Sequence, residues 1–159
     1  MSEATIRRFY EAFARLDGDA MQACYAADAR FDDEAFSLQG APRIGGMWRM
    51  LCGATKANPP ALAHWKLAVS DITPSSAHWE AHYLFGPGAR PVHNRIDARF
   101  EFDARGLITR HQDRFDFWAW SRQALGTPGL LLGWTPLLRN KVRATAAANL
   151  RKYLAAKGP

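Results

Sequence analysis

A histidine and an aspartate late in the chain have the spacing of an acid–base pair. His111 and Asp113 are two residues apart in a segment whose apolar residues alternate. In a β-strand both side chains would lie on one face, about 7 Å apart along it. A histidine beside a carboxylate suits a base with its orienting partner, or two groups that share a ligand. A buried pair that only fixes packing is the equal alternative.

Other side chains on the same face would complete a pocket around this pair. Asn94, on the neighbouring predicted strand, could donate a hydrogen bond to a carbonyl group, although a satisfied core amide is the alternative. Large aromatic residues are candidate pocket walls, and each suits an ordinary core equally well. They are Tyr10, Trp48, Trp79, Tyr83 and Phe100.

Segments with a period of two predict the strands that carry these residues. A short strand is predicted at residues 30–36, and longer ones at 64–72, 77–85, 91–102 and 107–118, separated by turn sequences. Hairpin-linked strands of this length must twist and curl, so one face would wrap whatever precedes them. The opposite face is charged and open to water or to a second subunit.

Three helices are predicted before the long strands, and their apolar residues recur at helical spacing. Helices followed by hairpins indicate an α+β protein rather than a βαβ one. We therefore predict an α+β cone in which three N-terminal helices are wrapped by a strongly curved, mainly antiparallel sheet. The apolar positions are Ile6, Phe9, Tyr10 and Phe13 in the first helix, Met21, Cys24 and Tyr25 in the second, and Ile44, Met47, Trp48, Leu51 and Cys52 in the third.

The pattern returns to helix after residue 118, and the charge becomes one-sided. Residues 121–159 carry seven basic and no acidic residues, which accounts for the whole net charge of +6. A helix with one apolar and one basic side could bind an anionic membrane surface, but packing on its own domain is the favoured interpretation. Residues 130–134 could cover the open end of the pocket. The predicted apolar side is Leu137, Leu138, Val142, Ala146, Leu150, Tyr153 and Leu154, with Arg139, Arg143, Arg151 and Lys152 away from it.

Composition and motifs exclude several other classes of function. The first residues have no apolar leader segment, and the two cysteines have no ligand or framework spacing, so we expect reduced thiols in a cytoplasmic protein. Phosphate-binding loops, metal-ligand motifs and nucleophile motifs are missing. We therefore expect no metal, no cofactor and no nucleic-acid partner.

The opening of the chain resembles a known family. FYEAFARLDGD at residues 9–19 and CYAADARFDD at residues 24–33 are similar to the helix–helix–strand opening of SnoaL-like and ketosteroid isomerase-like domains of the nuclear transport factor 2-like superfamily. Residues 39–40 and the hairpin at residues 95–113 fit too. The resemblance implies a cone-shaped domain over residues 1–118, with a helical extension at residues 119–159. It also implies a fold that supports several different enzyme and binding functions. Related domains commonly form dimers through the outer face of the sheet.

The resemblance places one further acid in the site and rejects another. Asp33 matches the isomerase's general base, where a carboxylate at the mouth of an apolar cavity moves a proton between carbons; an exposed turn acid is the alternative. Ala98, not Asp97, falls at the position of the isomerase's acid partner, so Asp97 is interpreted as part of a charge ladder. Phe9 falls at the tyrosine position, with Tyr10 next to it. A steroid-type oxyanion hole is therefore not supported.

Three functions remain open on this reading. The first is an isomerase- or cyclase-type enzyme that acts on a small apolar carbonyl compound, with catalytic Asp33, His111 and Asp113. The second is a non-catalytic ligand-binding or dimerisation module, with a homodimer through the outer sheet face. The third and weakest is a membrane-surface carrier that acts through the basic tail.

Overall fold

Short apolar helices and long alternating strands divide this chain into two layers. In the computed structural model, which describes residues 1–157, the elements in chain order are α1 (Ser2–Ala14), α2 (Gly18–Gln22), β1 (Tyr25–Asp32), β2 (Ser37–Gln39), α3 (Ala41–Lys56), α4 (Pro59–His64), β3 (Lys66–Ser70), β4 (Ser76–Phe85), β5 (Arg90–Phe102), β6 (Ile108–Arg114), α5 (Phe117–Leu125), α6 (Thr127–Leu132) and α7 (Pro136–Lys157).

Local signals explain where the first helices begin and which side they bury. All four apolar residues predicted for α1 are buried, as the three–four spacing requires. Asp17 caps α2 by accepting a hydrogen bond from the Ala20 amide at 3.0 Å. Before α3, Gly40 has a φ of +94°, a conformation that favours glycine, and Pro42 follows in the first turn.

The six strands form one mixed sheet in the order β2-β1-β6-β5-β4-β3. Strands β1 and β6 pair in parallel, and the other neighbours pair antiparallel. Strand β5 buries alternate residues from Val92 to Phe100, and those between them are exposed except the half-buried His93, so one face of the sheet meets the helices and the other meets water. The predicted α+β cone with a curved, mainly antiparallel sheet is confirmed.

Several predicted boundaries are wrong. The sheet encloses four helices rather than three, because α4 occupies the start of the strand predicted at 64–72; Asn58 caps α4, and two prolines follow in its first turn. Cys24 and Tyr25 are not helical, since Tyr25 opens β1. The strand predicted at 30–36 covers only the end of β1, and its remaining residues form the turn before β2. The last predicted strand ends at Arg114, where Asp116 caps a helix instead.

The C-terminal helices pack on the domain through part of the expected surface. Leu150 is buried, and the Leu154 side chain packs so closely on Gly46 of α3 that a Cβ there would displace it. The predicted apolar side of the last helix is wrong at Leu137, because this side chain is exposed. The residues at 130–134 do not cover a pocket either, since their Leu and Trp side chains are exposed. None of the helices within residues 1–157 combines the length and apolarity that crossing a bilayer requires.

Candidate acid–base site

The predicted His111–Asp113 pair forms inside the cone. Both side chains are buried, His111 completely, and His111 Nε2 lies 2.8 Å from Asp113 Oδ1. Strand β6 sits in the middle of the sheet, between β1 and β5. Two neighbouring strands therefore screen this pair from water along the sheet.

Hydrogen bonding determines which nitrogen of His111 carries the proton. The Trp48 indole N–H donates to the Tyr25 hydroxyl at 3.1 Å, and that hydroxyl lies 2.7 Å from His111 Nδ1. The Tyr25 O–H bond then has one partner available, which is Nδ1 as an acceptor. Neutral His111 thus carries its proton on Nε2 and donates it to Asp113. The result is a directed chain from Trp48 through Tyr25 and His111 to the carboxylate.

Aromatic rings surround the imidazole and fix its orientation. Ring centroids of four aromatic neighbours lie 4.4–6.4 Å from that of His111. This packing prevents rotation of the ring, so His111 can position Asp113 but has no surface of its own for a ligand. The four neighbours are Phe9, Phe31, Trp48 and Phe100.

Asp33 follows β1 directly and is held by a tight turn. Its Oδ1 accepts hydrogen bonds from the backbone amides of Ala35 at 2.7 Å and Phe36 at 2.6 Å. Burial, with smaller contributions from the negative charges of Asp113 and Glu34, nevertheless raises the pKa of the Asp33 carboxyl to about 7 against the opposing effect of those amides. The side chain keeps partial access to solvent. Asp33 can therefore hold a proton near neutral pH and exchange it.

Asp33 and Asp113 line the same cavity, which has a volume of about 400 Å³. The sequence predicted an apolar pocket, but this lining is polar and carries four arginines. Four carboxyl groups line this cavity, and one of them, Asp33, has a raised pKa; carboxyl groups with different pKa values in one site can divide the roles of acid and base. The other lining residues are Arg30, Asp32, Glu34, Ser37, Arg110, Gln112, Arg114 and Arg143.

The side chains predicted to bind substrate lie elsewhere in the interior. Trp48 and Phe100 pack on His111, and Asn94 is buried on β5 opposite Ala81. Tyr83 accepts a hydrogen bond from the Trp120 indole at 2.8 Å, and burial raises its pKa. These residues are not among those that line the cavity, so their predicted role stays a prediction.

Tyr10 and Trp79 lie closer to Asp113 than the other predicted substrate-binding residues do. The Trp79 indole approaches Asp113 Oδ1 at 3.5 Å. The Tyr10 hydroxyl is buried and has no hydrogen-bond partner among residues 1–157. Burial, and then the charge of Asp113, raise the pKa of Tyr10 well above its usual value. A buried donor without an acceptor is costly, and a ligand oxygen would satisfy it.

Sequence reasoning missed two contributors to this region. Tyr25 was assigned to a helix, and only its pairing with β6 at Ile108 places it beside His111. Arg143 was assigned to the solvent side of the last helix, yet it donates to the backbone carbonyls of Glu34 at 3.0 Å and Asp33 at 3.3 Å. No local pattern predicts contacts between residues 110 positions apart. Helix α7 thus anchors the turn that holds Asp33.

The outer face carries the predicted charge ladder. Asp97 is exposed there and lies 2.9 Å from His78 Nδ1, which removes it from the interior as expected. Across residues 1–157 no group of three or more His, Cys, Asp and Glu side chains has a geometry that could hold a metal ion.

A cone-shaped α+β domain with acids inside the sheet is the architecture of nuclear transport factor 2-like proteins. The sequence model of the SnoaL-like domain family matches residues 6–111, and the chain belongs to this family. Comparison with curated proteins gives no match.

Solved structures support the fold. A candidate polyketide cyclase from Xanthomonas campestris pv. campestris has a TM-score of 0.59 at 19% identity, covering 77% of this chain and 95% of that one. An LEH-like epoxide hydrolase from M. tuberculosis has a TM-score of 0.57 at 19% identity, with 82% and 92% covered. A nuclear transport factor 2-like protein of unknown function from Cytophaga hutchinsonii ATCC 33406 has a TM-score of 0.53 at 12% identity, with 72% and 99% covered. At these sequence identities the similarity shows that the proteins share a fold, and it does not show that they share an activity.

Proposed function

We propose that this protein is an acid–base enzyme of the isomerase or cyclase type that acts on a small carbonyl compound. The observation that carries the proposal is the cavity shared by Asp33 and Asp113, in which burial raises the pKa of Asp33 to about 7. General acid–base catalysis works best when one group holds a proton and another accepts one near the working pH.

The roles follow from the hydrogen bonds. Asp113, oriented by His111, takes a proton from the carbon next to the substrate carbonyl, and the C–H electron pair moves to form the enolate. Asp33 donates its proton to the developing oxygen anion. Asp113 then gives its proton to a different carbon, and the enol O–H proton returns to Asp33 as the carbonyl re-forms, which completes an isomerisation without any co-reactant.

The cavity lining narrows the substrate class. Arg110 and Arg114 are exposed and line the cavity beside Asp33 and Asp113. Guanidinium groups recognise carboxylates and other anionic oxygens. The substrate therefore carries a polar or anionic end in addition to the carbonyl, which modifies the apolar substrate expected from sequence. The polyketide cyclase and epoxide hydrolase names of the fold neighbours are compatible with chemistry of this kind.

Deuterium wash-in tests this function directly. A panel of small keto acids is incubated with the protein in D₂O, and loss of the α-proton signal is followed by NMR. Wild type should catalyse exchange on at least one compound, and Asp113→Asn should reduce the rate by roughly 10²–10⁴-fold. Asp33→Asn should reduce it as well, while Asp97→Asn on the outer face should not. Equal rates for Asp113→Asn and wild type would contradict the assignment.

A non-catalytic ligand-binding module is the second candidate. The observation that favours it is the complete burial of His111, whose two nitrogens are both occupied within the protein. Under this alternative a compound from the panel binds by calorimetry, and its affinity falls in Arg110→Gln, but no variant changes the background exchange rate. Three further expectations also remain proposals: the domain boundary at residue 118, a cytoplasmic location, and a homodimer through the outer sheet face.

A further inference from the structure

A group of apolar side chains around the α6–α7 turn has no role in the proposed site. Five of them are more than 40% exposed, and Leu131, Trp134 and Leu137 exceed 60%. Single exposed leucines are ordinary, but a contiguous set of large apolar side chains marks an interaction surface. We call this set the apolar tip. It consists of Trp118, Leu130, Leu131, Leu132, Trp134 and Leu137.

Glycines explain why α6 turns its leucines outward. A Cβ at Gly129 would overlap the Ser121 carbonyl, and one at Gly133 would overlap the Ser121 hydroxyl. The Ser121 hydroxyl also hydrogen-bonds the carbonyl oxygens of Trp118 at 3.0 Å and Gly129 at 3.3 Å. The glycine side of α6 is thus packed tightly on α5, and the leucines occupy the other sides. The apolar tip is therefore held in place by tight packing of α6 on α5 and is not a loosely packed end of the chain.

Both tryptophans of the tip have their indole N–H groups satisfied by nearby backbone. Trp134 Nε1 donates to the Leu131 carbonyl at 3.0 Å, and Trp118 Nε1 donates to the Leu130 carbonyl at 3.1 Å. Moving these tryptophans out of water therefore leaves neither indole N–H group without a hydrogen-bond acceptor. Large aromatic rings with a satisfied polar atom are suited to the boundary between lipid headgroups and acyl chains.

Most of the charge beside the tip is positive, and the acid Glu34 pairs with Arg139 at 3.5 Å. The Arg122 guanidinium stacks over the Trp118 ring at 4.6 Å, and Lys141 is exposed one helical turn after Leu137. Between residues 117 and 157 the sequence has no acidic residue. The nearest acid, Asp116, accepts a hydrogen bond from the Ala119 amide at the start of α5. An approaching surface with negative charge is therefore attracted without opposition from this segment.

We propose that the apolar tip inserts into the interfacial region of an anionic lipid bilayer, with Arg122 and Lys141 at the headgroups. Leucine and tryptophan flanked by basic residues is the composition of peripheral membrane-binding segments. The partner is thus a membrane surface, independent of what the enclosed acids do.

Vesicle co-sedimentation of the full chain tests the proposal. Vesicles of phosphatidylcholine with roughly one-third phosphatidylglycerol should bind the protein, and pure phosphatidylcholine should bind it much more weakly. The double variant Leu131→Gln with Trp134→Gln should lower the binding constant at least about ten-fold. Its matched control removes exposed leucines elsewhere, Leu51→Gln with Leu62→Gln, and should bind like wild type.

Two double variants, each of which removes two positive charges, complete the test. Arg122→Gln with Lys141→Gln should lower binding to the anionic vesicles by about five-fold per charge removed, whereas Arg7→Gln with Lys56→Gln, at the same net charge, should have a smaller effect. Circular dichroism establishes that each variant is folded. Absence of binding to anionic vesicles would overturn the proposal. So would a tip variant that dissociates a self-associated species in sedimentation velocity while vesicle binding is unchanged, since the tip would then contact a second copy.

Discussion

Replacing Asp33 with asparagine should remove a pH dependence from the stability of the fold. The change keeps the side-chain oxygen that accepts the Ala35 and Phe36 amides, so the turn is preserved. It removes the titrating proton, whose pKa burial raises from 3.8 to about 7. Because the folded state binds this proton more tightly than the unfolded state, its contribution is complete below pH 4 and is lost as the pH rises towards 7.

The magnitude follows from the size of the shift. A difference of about 3 pKa units corresponds to about 4 kcal/mol at 1.36 kcal/mol per unit. The Asp33 side chain keeps partial solvent access, which screens the effect, so we expect about 2 kcal/mol. Asp33→Asn should therefore match wild type near pH 4 and exceed its free energy of unfolding by about 2 kcal/mol near pH 8.

Urea unfolding followed by tryptophan fluorescence at several pH values measures this difference. Other titrating groups are common to both proteins and cancel when the two free energies are subtracted. Asp28→Asn is the matched control, because Asp28 is exposed, and its difference from wild type should be independent of pH. A constant difference for Asp33→Asn across the range would refute the idea that Asp33 retains its proton near neutrality.

Two further pairs of variants test the packing of the same structure. Tyr10→Phe should raise the free energy of unfolding by roughly 1 kcal/mol, since it removes a buried hydroxyl that has no partner, whereas Tyr25→Phe should lower it by roughly 1–3 kcal/mol by leaving His111 Nδ1 and an indole N–H unpaired. Equal losses in thermal or urea unfolding would contradict the proposed hydrogen-bonded chain. Gly129→Ala should destabilise by roughly 1–3 kcal/mol because its Cβ meets the α5 backbone, but Gly53→Ala, with open space in α3, should stabilise by about 0.8 kcal/mol. Unfolding curves that place both alanine variants on the same side of wild type would contradict the packing described for α6.

Periodicity in the sequence predicted the elements whose burial is regular. The three–four spacing in α1 and the alternation in β5 were sufficient, because each of these segments meets the core along one face. The start of α5 could also have been predicted, because Asp116 is a typical N-cap residue directly before Phe117. The alternating pattern of the preceding strand continues through this position and led to a strand prediction instead.

Long-range contacts could not be read from local patterns. Tyr25 joins His111 only because β1 pairs in parallel with β6, and a parallel pair leaves no hairpin signal. Arg143 reaches the Asp33 turn across most of the chain. The alternation thus predicted that His111 and Asp113 share one face, while their hydrogen bond and the charged character of the cavity beside them depend on tertiary structure.

Titration of the Asp33 carboxyl by ¹³C NMR, in wild type and in Asp113→Asn, tests most directly whether two coupled acids share one cavity. We predict a pKa of about 7 in wild type, and a lower value in Asp113→Asn because the negative charge that raises it is gone. The same titration in Asp97→Asn should match wild type. A wild-type value in the ordinary range of exposed carboxyls, or a value unchanged by Asp113→Asn, would contradict the acid–base site.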